Sequence, residues 1–557
     1  MHATPPLHKD ETTELSLSVF ICLRHDTYHR QQMIMLVALF VLLPIYASAQ
    51  IPDFPAESCK LKWQGSWYLS ERTTPVLINV SWVDSLGECL AMNHHNDHYL
   101  FHLNTGSGSC YRCVAFFPAH TNVLQFKQTS CIRSLTANEN IDSVCRRSFR
   151  GDAPMTTLFR ANSSSELCPF EAPFNFTYLF IDGSCTSRIS TVTACANPHR
   201  FRFQYQACPE VPHTETHADE LECIAKWNSF GVEYFAVKLT NSFASSSSAR
   251  FRCVIHERAS SGGRMGISAD ASCNELTDIS FASTVLNYKQ DSSVMARCHF
   301  PSFLIHDSHS ENPRIWKSLV TDYTHQFSRD EWIEQWEGRN RSISLCVDDE
   351  NLGSTHKLVV HAIHGCTSGY QCVKFIKRKR NIVDMVRGKM SNNEFEACEY
   401  LQAETIETLL LEGSKAEKCP VKGRHSRSDC PMAAIHFGCP LDHSIQLRPY
   451  CNSNRTQELI CRGHWTEDEV HYVIAEESET KRRICYVYSS LPDGAVRIRS
   501  FRHVACHPQT LESSAPQYDF NASRFDECEP KMSAWESNGA TISAASLSLF
   551  VLFSLGR

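Results

Sequence analysis

The chain has 557 residues, a net charge of −7 at pH 7 and a hydrophobic fraction of 42%. That length admits several globular domains, and the composition excludes a disordered polymer. The acidic balance provides no global field for nucleic acid, and 27 cysteines exclude an ordinary cytosolic protein, whose thiols are kept reduced.

Residues 1–49 read as a leader and signal peptide. Met35–Tyr46 is an apolar run too short to cross a bilayer, and the small-residue cleavage site Ala47-Ser48-Ala49 follows it. The mature chain is expected to begin at Gln50 and to enter the secretory pathway. The stretch before Met33 is polar and long for such a leader, so both a start at Met33 and an extended leader are open. Cys22 lies in the discarded part, which leaves an even number of cysteines.

A tetrapeptide then recurs. Tyr111-Arg112-Cys113-Val114 is echoed by Phe251-Arg252-Cys253-Val254, Tyr370-Gln371-Cys372-Val373 and Arg483-Ile484-Cys485-Tyr486. A closing cysteine follows each: Cys131, Cys273, Cys398 and Cys506. The stretches between read as hairpins. In the last copy the turn Pro492-Asp493-Gly494 precedes Val496 and Ile498 alternating with Arg497 and Arg499, the pattern of a strand with one buried face. Opening cysteines are read at Cys59, Cys223, Cys298 and Cys461. Trp63, Trp227 and Trp465 follow three of them and are expected to pack beneath the sheet.

The copies alternate in type. The first and third hold an extra pair, Cys89 with Cys110 and Cys346 with Cys366, for which direct bridges are plausible. The second and fourth are preceded by four cysteines, Cys168, Cys185, Cys195 and Cys208, then Cys419, Cys430, Cys439 and Cys451; Cys145 and Cys528 complete the set. The fold expected is mainly β, with four small disulfide-rich β domains in an A-B-A-B tandem duplication. The domains are A1 (59–145), B1 (168–273), A2 (298–398) and B2 (419–528). Polar linkers at 146–167, 274–297 and 399–418 join them, the last with a short helix around Glu404–Glu407. Cys110 and Cys113 share a C-x-x-C spacing that no other copy keeps, so they read as structural disulfide halves rather than a redox couple or zinc knuckle. Residues 59–273 and 298–528 hold thirteen cysteines each. Full oxidation therefore requires a bridge between the halves; the alternatives are a free thiol in each half or a disulfide-linked dimer.

The layout resembles a family of uncharacterised invertebrate extracellular proteins with four tandem cysteine-rich domains of unknown function. The residues that carry it are Trp63-Gln64-Gly65-Ser66-Trp67, Cys110-Tyr111-Arg112-Cys113, Asn122-Val123-Leu124-Gln125-Phe126, Cys168-Pro169-Phe170 and Cys419-Pro420. The resemblance implies a signal peptide and a hydrophobic C-terminal tail, and no catalytic residue. Gly65-Ser66-Trp67-Tyr68 is also similar to the opening of a lipocalin barrel. Eight strands need a longer unit, however, and one copy in four has the motif.

Sequons at Asn79, Asn162, Asn175, Asn340, Asn454 and Asn521 are expected to carry glycan. His94, His95, His98 and His102 form the densest imidazole cluster. Adjacent histidines on a strand face opposite sides, and the stretch reads as a solvated loop. Lys374, Lys377, Arg378, Lys379 and Arg380 are placed at a hairpin tip. They offer an anionic-glycan patch or a convertase site after Arg380, against the plain alternative of a solvated loop. The motifs of serine hydrolases, zinc proteases and phosphate loops are absent from the sequence, so no catalytic residue, metal or cofactor is assigned and no enzyme is expected.

Residues 538–557 resemble a glycosylphosphatidylinositol (GPI) signal. Ile542–Leu555 is short and apolar, and Asn538 or Ser537 would carry the lipid. The expectation is thus an extracellular cell-surface glycoprotein, a binding, adhesion or co-receptor module. Its partner would be an extracellular protein or glycan, its membrane contact a lipid anchor, and nucleic acid would play no part. The alternatives are a secreted carrier of a small apolar ligand and, third, an extracellular enzyme.

Overall fold

The structure is a computed structural model. It describes residues 59–526 and 528, apart from 71, 94–96, 107, 137–138, 150, 152, 181–182, 242–245, 274–275, 306–312, 400–404, 428 and 453–454. The expected signal peptide, His94, His95, Asn454 and the GPI-type tail with Ser537 and Asn538 lie outside the described residues.

Each unit closes an eight-stranded antiparallel barrel. The barrels run from Gly65 to Arg160 (A1), Phe174 to Gln290 (B1), Ile315 to Leu411 (A2) and Gly423 to Asp526 (B2). Consecutive strands pair, and the last strand returns to the first: Trp67 faces Arg160, Tyr178 faces Leu286, Trp316 faces Leu411 and Ser426 faces Ser523. Closure leaves no free strand edge. Two-residue alternation drives it. In Arg200–Tyr205, Phe201, Phe203 and Tyr205 are buried while Arg200, Arg202 and Gln204 are half-exposed. The inward residues fill each barrel with its own side chains, among them Tyr99, Phe101 and Phe116 in A1 and Phe174, Phe176 and Phe203 in B1. Burying one such side chain contributes about 1.5–3 kcal/mol.

The disulfides repeat with the barrels. The fourth-strand cysteines Cys89, Cys223, Cys346 and Cys461 pair with cysteines ahead of the first strand, Cys59, Cys168, Cys298 and Cys419. A β-bulge follows each fourth-strand cysteine. The sixth-strand cysteines Cys113, Cys253, Cys372 and Cys485 pair beyond the seventh strand, with Cys145, Cys273, Cys398 and Cys506. Further bridges are Cys110–Cys131, Cys185–Cys208, Cys430–Cys451 and Cys439–Cys528. Cys195–Cys366 joins the halves, beside a hydrogen bond from Ala196 N to Gly365 O of 2.6 Å. Of the three outcomes left open by cysteine parity, the bridge between halves is the one found.

Several expectations are corrected. The bridges Cys89–Cys110 and Cys346–Cys366 are not made, and Cys113 closes on Cys145 rather than Cys131. Cys110 and Cys113 lie three residues apart on one strand, which sends them to opposite faces and different partners. Cys223 and Cys461 are fourth-strand residues rather than unit openers. Trp227 and Trp465 stack on Tyr234 and Tyr472 outside the barrel cores, whereas Trp63 packs on Phe116. The eighth strands Thr156–Arg160, Thr284–Gln290 and Thr405–Leu411 lie in the segments read as linkers, so the helix expected around Glu404–Glu407 is a strand from Thr405 onward. A barrel needs an eighth strand to satisfy the edges of its first and seventh, and that strand carries no cysteine to announce it. The length argument against an eight-stranded barrel at Gly65-Ser66-Trp67-Tyr68 therefore fails.

Candidate functional site

The barrels pack in pairs, A1 on B1 and A2 on B2, through one hinge built twice. The turn between the sixth and seventh strands of each A barrel presents a buried asparagine, Asn122 or Asn381. Its Nδ2 donates to the bulge residue of the facing B barrel, Ile224 O or Arg462 O, at 2.7 Å in both pairs. A bulge leaves a carbonyl without its ladder partner, and the asparagine supplies the missing donor. Main-chain bonds repeat the equivalence: Glu166 N donates to Cys223 O and Glu417 N to Cys461 O, at 2.8 and 2.9 Å. The next residues, Val123 and Ile382, are fully buried.

The same register positions carry different chemistry in the two seams. Between A1 and B1, Phe159 stacks on Phe251 at 4.9 Å and 8°, and Tyr68 lies 5.7 Å from Phe251. Tyr68 pairs with Phe159 as Lys317 pairs with Leu410, and Lys238 pairs with Phe251 as Glu476 pairs with Arg483. The aromatic plug of the first seam is thus replaced in the second by Lys317, Leu410 and Arg483, with Arg462 at the position of Ile224. A cleft of about 560 Å³ opens there.

Its walls carry a surplus of cations. Arg462 donates to Ser414 O at 2.8 Å and to Glu476 Oε1 at 2.9 Å. Arg483 Nε stands 3.7 Å from Glu476 Oε2, Arg502 pairs with Glu477, and Lys317 pairs with Glu412. The Nε atoms of Arg462, Arg483 and Arg502 are buried and make no hydrogen bond to the described residues. Burial pulls the Arg483 guanidinium below the ordinary arginine range, and Glu476 and Glu412 offset this only in part. Lys481 and Arg482 stand exposed at the rim. Lys481 and His503 have left-handed backbone, φ 59° and 56°, a conformation costly for residues with a Cβ. Six lysines and arginines thus face four carboxylates, counting Asp322 and the supporting Glu477, in a protein of net charge −7. Such a cleft can take a negatively charged group, because guanidinium forks match carboxylate and sulfate oxygens.

The basic run fares differently. Arg378 is held by the buried Asp384 at 2.7 Å and by Glu467 at 2.9 Å, and Lys379 pairs with Glu417 at 3.3 Å. Lys377 lies over the Phe303 ring, Lys374 is half-exposed, and Arg380 has an interaction of its own. Of the five cations of the possible glycan patch, Arg378 and Lys379 are thus engaged in ion pairs, and the bond after Arg380 precedes the buried hinge residue Asn381. Strand geometry and Asp384, invisible in the local sequence, account for the difference.

Asn79, Asn162 and Asn521 are exposed, and Asn175 and Asn340 are half-exposed. His98 lies tilted against Phe149 and His102 stacks on Tyr111; the described residues hold no cluster that could bind a metal ion. Inside A2, buried Arg387 pairs with Glu334 at 2.8 Å and with Glu407 beside His325, a network the sequence did not reveal. A smaller opening of about 340 Å³ lies between Tyr178, Phe180, Tyr205 and His217 of B1. No described helix is long and apolar enough to cross a membrane.

Three family models match the chain in tandem: Domain of unknown function (DUF7044) over residues 57–149, (DUF7042) over 164–290 and (DUF7043) over 294–409. No curated protein and no solved structure matches. The first match stops short of the eighth strand of A1, and the third ends within that of A2.

Proposed function

We propose that this tandem of domains of unknown function is an extracellular binding protein whose ligand site is the charged seam between A2 and B2, and whose ligand carries negative charge. The observation behind it is the replacement of an aromatic plug, at the same place in the duplicated fold, by an open cleft in which lysines and arginines outnumber carboxylates. Thirteen disulfides suit an oxidising compartment. Secretion, N-glycosylation and a C-terminal lipid anchor belong to the same proposal, as does binding without catalysis. The carrier alternative has less support, because each barrel interior is occupied by its own aromatic and aliphatic side chains.

The test is a thermal-shift titration of secreted residues 50–536 with citrate and pyrophosphate, beside the double variant Lys481→Glu/Arg482→Glu. Both residues are exposed, so the variant should melt as the native chain does. The native melting temperature should rise with ligand and the variant's should not. Equal responses would remove the seam from consideration.

A further inference from the structure

Resting on that site, we infer that the A2–B2 cleft recognises an acidic saccharide, a sulfated or uronic-acid glycan segment, rather than an acidic peptide. Three features of the cleft select that class.

The first is the closed architecture. Peptides are commonly captured by adding a strand to a free sheet edge, and all four barrels are closed. The main chain of an extended peptide finds no ladder to join at this seam. The second is the shortage of apolar anchor pockets. The apolar side chains lining the cleft are Leu319, Leu410 and Leu411, of which Leu410 is 1% exposed and Leu319 6%. Peptide recognition draws most of its affinity from buried aromatic or aliphatic anchors, which have nowhere to seat here.

The third is the mixed polarity of the walls. Arg462, Arg483 and Arg502 offer donors for sulfate or carboxylate oxygens. Asp322, Glu412 and Glu476 stand among them as acceptors. A bare polyphosphate has oxygens for the first set and only repulsion for the second. An acidic sugar presents anionic oxygens and hydroxyl donors on one ring, and so satisfies both. The volume of about 560 Å³ suits a short oligosaccharide, within the usual range of small-molecule sites. Lys481 and Arg482, exposed at the rim, provide a track for the chain to continue outward.

The experiment uses calorimetric titration of secreted residues 50–536 with four probes. These are a size-defined heparin tetrasaccharide, its desulfated form, a glutamate-rich decapeptide and inorganic pyrophosphate. The sulfated tetrasaccharide should bind at least about tenfold more tightly than the other three. Lys481→Glu/Arg482→Glu should weaken it about tenfold or more at unchanged melting temperature, whereas Lys374→Ala/Lys377→Ala should leave it within about twofold. If pyrophosphate or the peptide binds as well as the tetrasaccharide, and the rim variant abolishes that binding, the glycan assignment is overturned and the anion cleft stands. If no probe binds, or the rim variant changes nothing, the anion-cleft reading falls with it.

Discussion

The two inter-barrel seams are one device with two fillings. Both keep the asparagine that caps the bulge carbonyl and the tryptophan–tyrosine stack, whose rings lie 10° apart in each. The asparagine satisfies a main-chain carbonyl across each seam, so changing it would alter the hinge itself. The side chains between asparagine and stack bear no such duty. One seam uses the freedom to bury Phe159 and Phe251 beneath the half-buried Tyr68, and the other to gather arginines around a space. The difference teaches that backbone satisfaction sets the geometry of this fold, while side-chain filling decides whether a junction is a packed core or an open cleft.

The sharpest way to break the comparison is to truncate the paired residues Phe251 and Arg483. Phe251 is fully buried and stacked, so Phe251→Ala should cost about 3–5 kcal/mol. Arg483→Ala should cost less, about 1–3 kcal/mol, because the buried Glu476 loses one cation yet still accepts from Arg462. Guanidinium unfolding of the two variants measures both. Equal losses would mean that the second seam is as tightly packed a core as the first.

A second contrast lies inside the barrels. At the register positions of His325 and Glu407, A1 has Val76 and Thr156. Burial pushes His325 down to about 4, against the pull of Glu407 and Glu334 and with Arg387 adding to the fall. His425, enclosed in B2 near Arg524, is likewise lowered to about 4 by burial. Folding weakens proton binding at both rings, so the unfolded chain takes up protons first as pH drops through the ordinary histidine range. Stability should decline from about pH 6.5 to pH 4, by roughly 3 kcal/mol for the fully enclosed His325. His325→Gln should flatten that slope in denaturant melts, and adding His425→Gln should flatten it further. A slope that survives both substitutions would place the acid sensitivity elsewhere.

The shared hinge predicts equality instead of contrast. Asn122→Ala and Asn381→Ala each strand the bulge carbonyl, Asn122→Ala releasing Ser164 O as well, and each should cost about 1–3 kcal/mol. Matched losses in unfolding experiments support a twice-built hinge; a large loss at one site alone would make the second asparagine incidental.

How much of this was legible follows from what each feature depends on. Cysteines mark themselves, so the four units, their alternation and the need for a bridge between halves could be counted along the chain. The cysteine-free eighth strands, such as Thr405–Leu411, could not. The dense run Lys374–Arg380 attracted notice because its charges are adjacent, yet Arg378 is engaged by an aspartate six residues away across a hairpin. The cleft cations are spread from Lys317 to Arg502 and meet only when two barrels close. The sequence does carry one local trace of the cleft. The residue two before the repeat cysteine is Tyr111, Phe251 and Tyr370 in three copies and Arg483 in the fourth. An aromatic-to-arginine change inside a structural repeat is the local trace of an emptied core.

The smallest expected effect on stability gives the most direct view of the open seam. Ala161 N donates to Ser66 O as Glu412 N donates to Ile315 O, which places Asn162 and Gly413 at equivalent points, one residue further on. Asn162 is exposed and heads a sequon; Gly413 lines the cleft. Glycan at Asn162 would crown the first seam and leave the second bare. Asn162→Gln should remove one glycan's mass from the secreted chain and shift stability by no more than about 0.5 kcal/mol. The reciprocal change, Gly413→Asn with Lys415→Thr, moves the sequon to the second seam. Gly413 has φ +71°, a conformation that asparagine tolerates better than other residues with a side chain, so the fold should accept it. A mass gain that peptide N-glycosidase reverses, together with loss of anion binding and a nearly unchanged melting temperature, is the expected outcome. If the glycan is attached and the anion still binds, the ligand does not enter between A2 and B2.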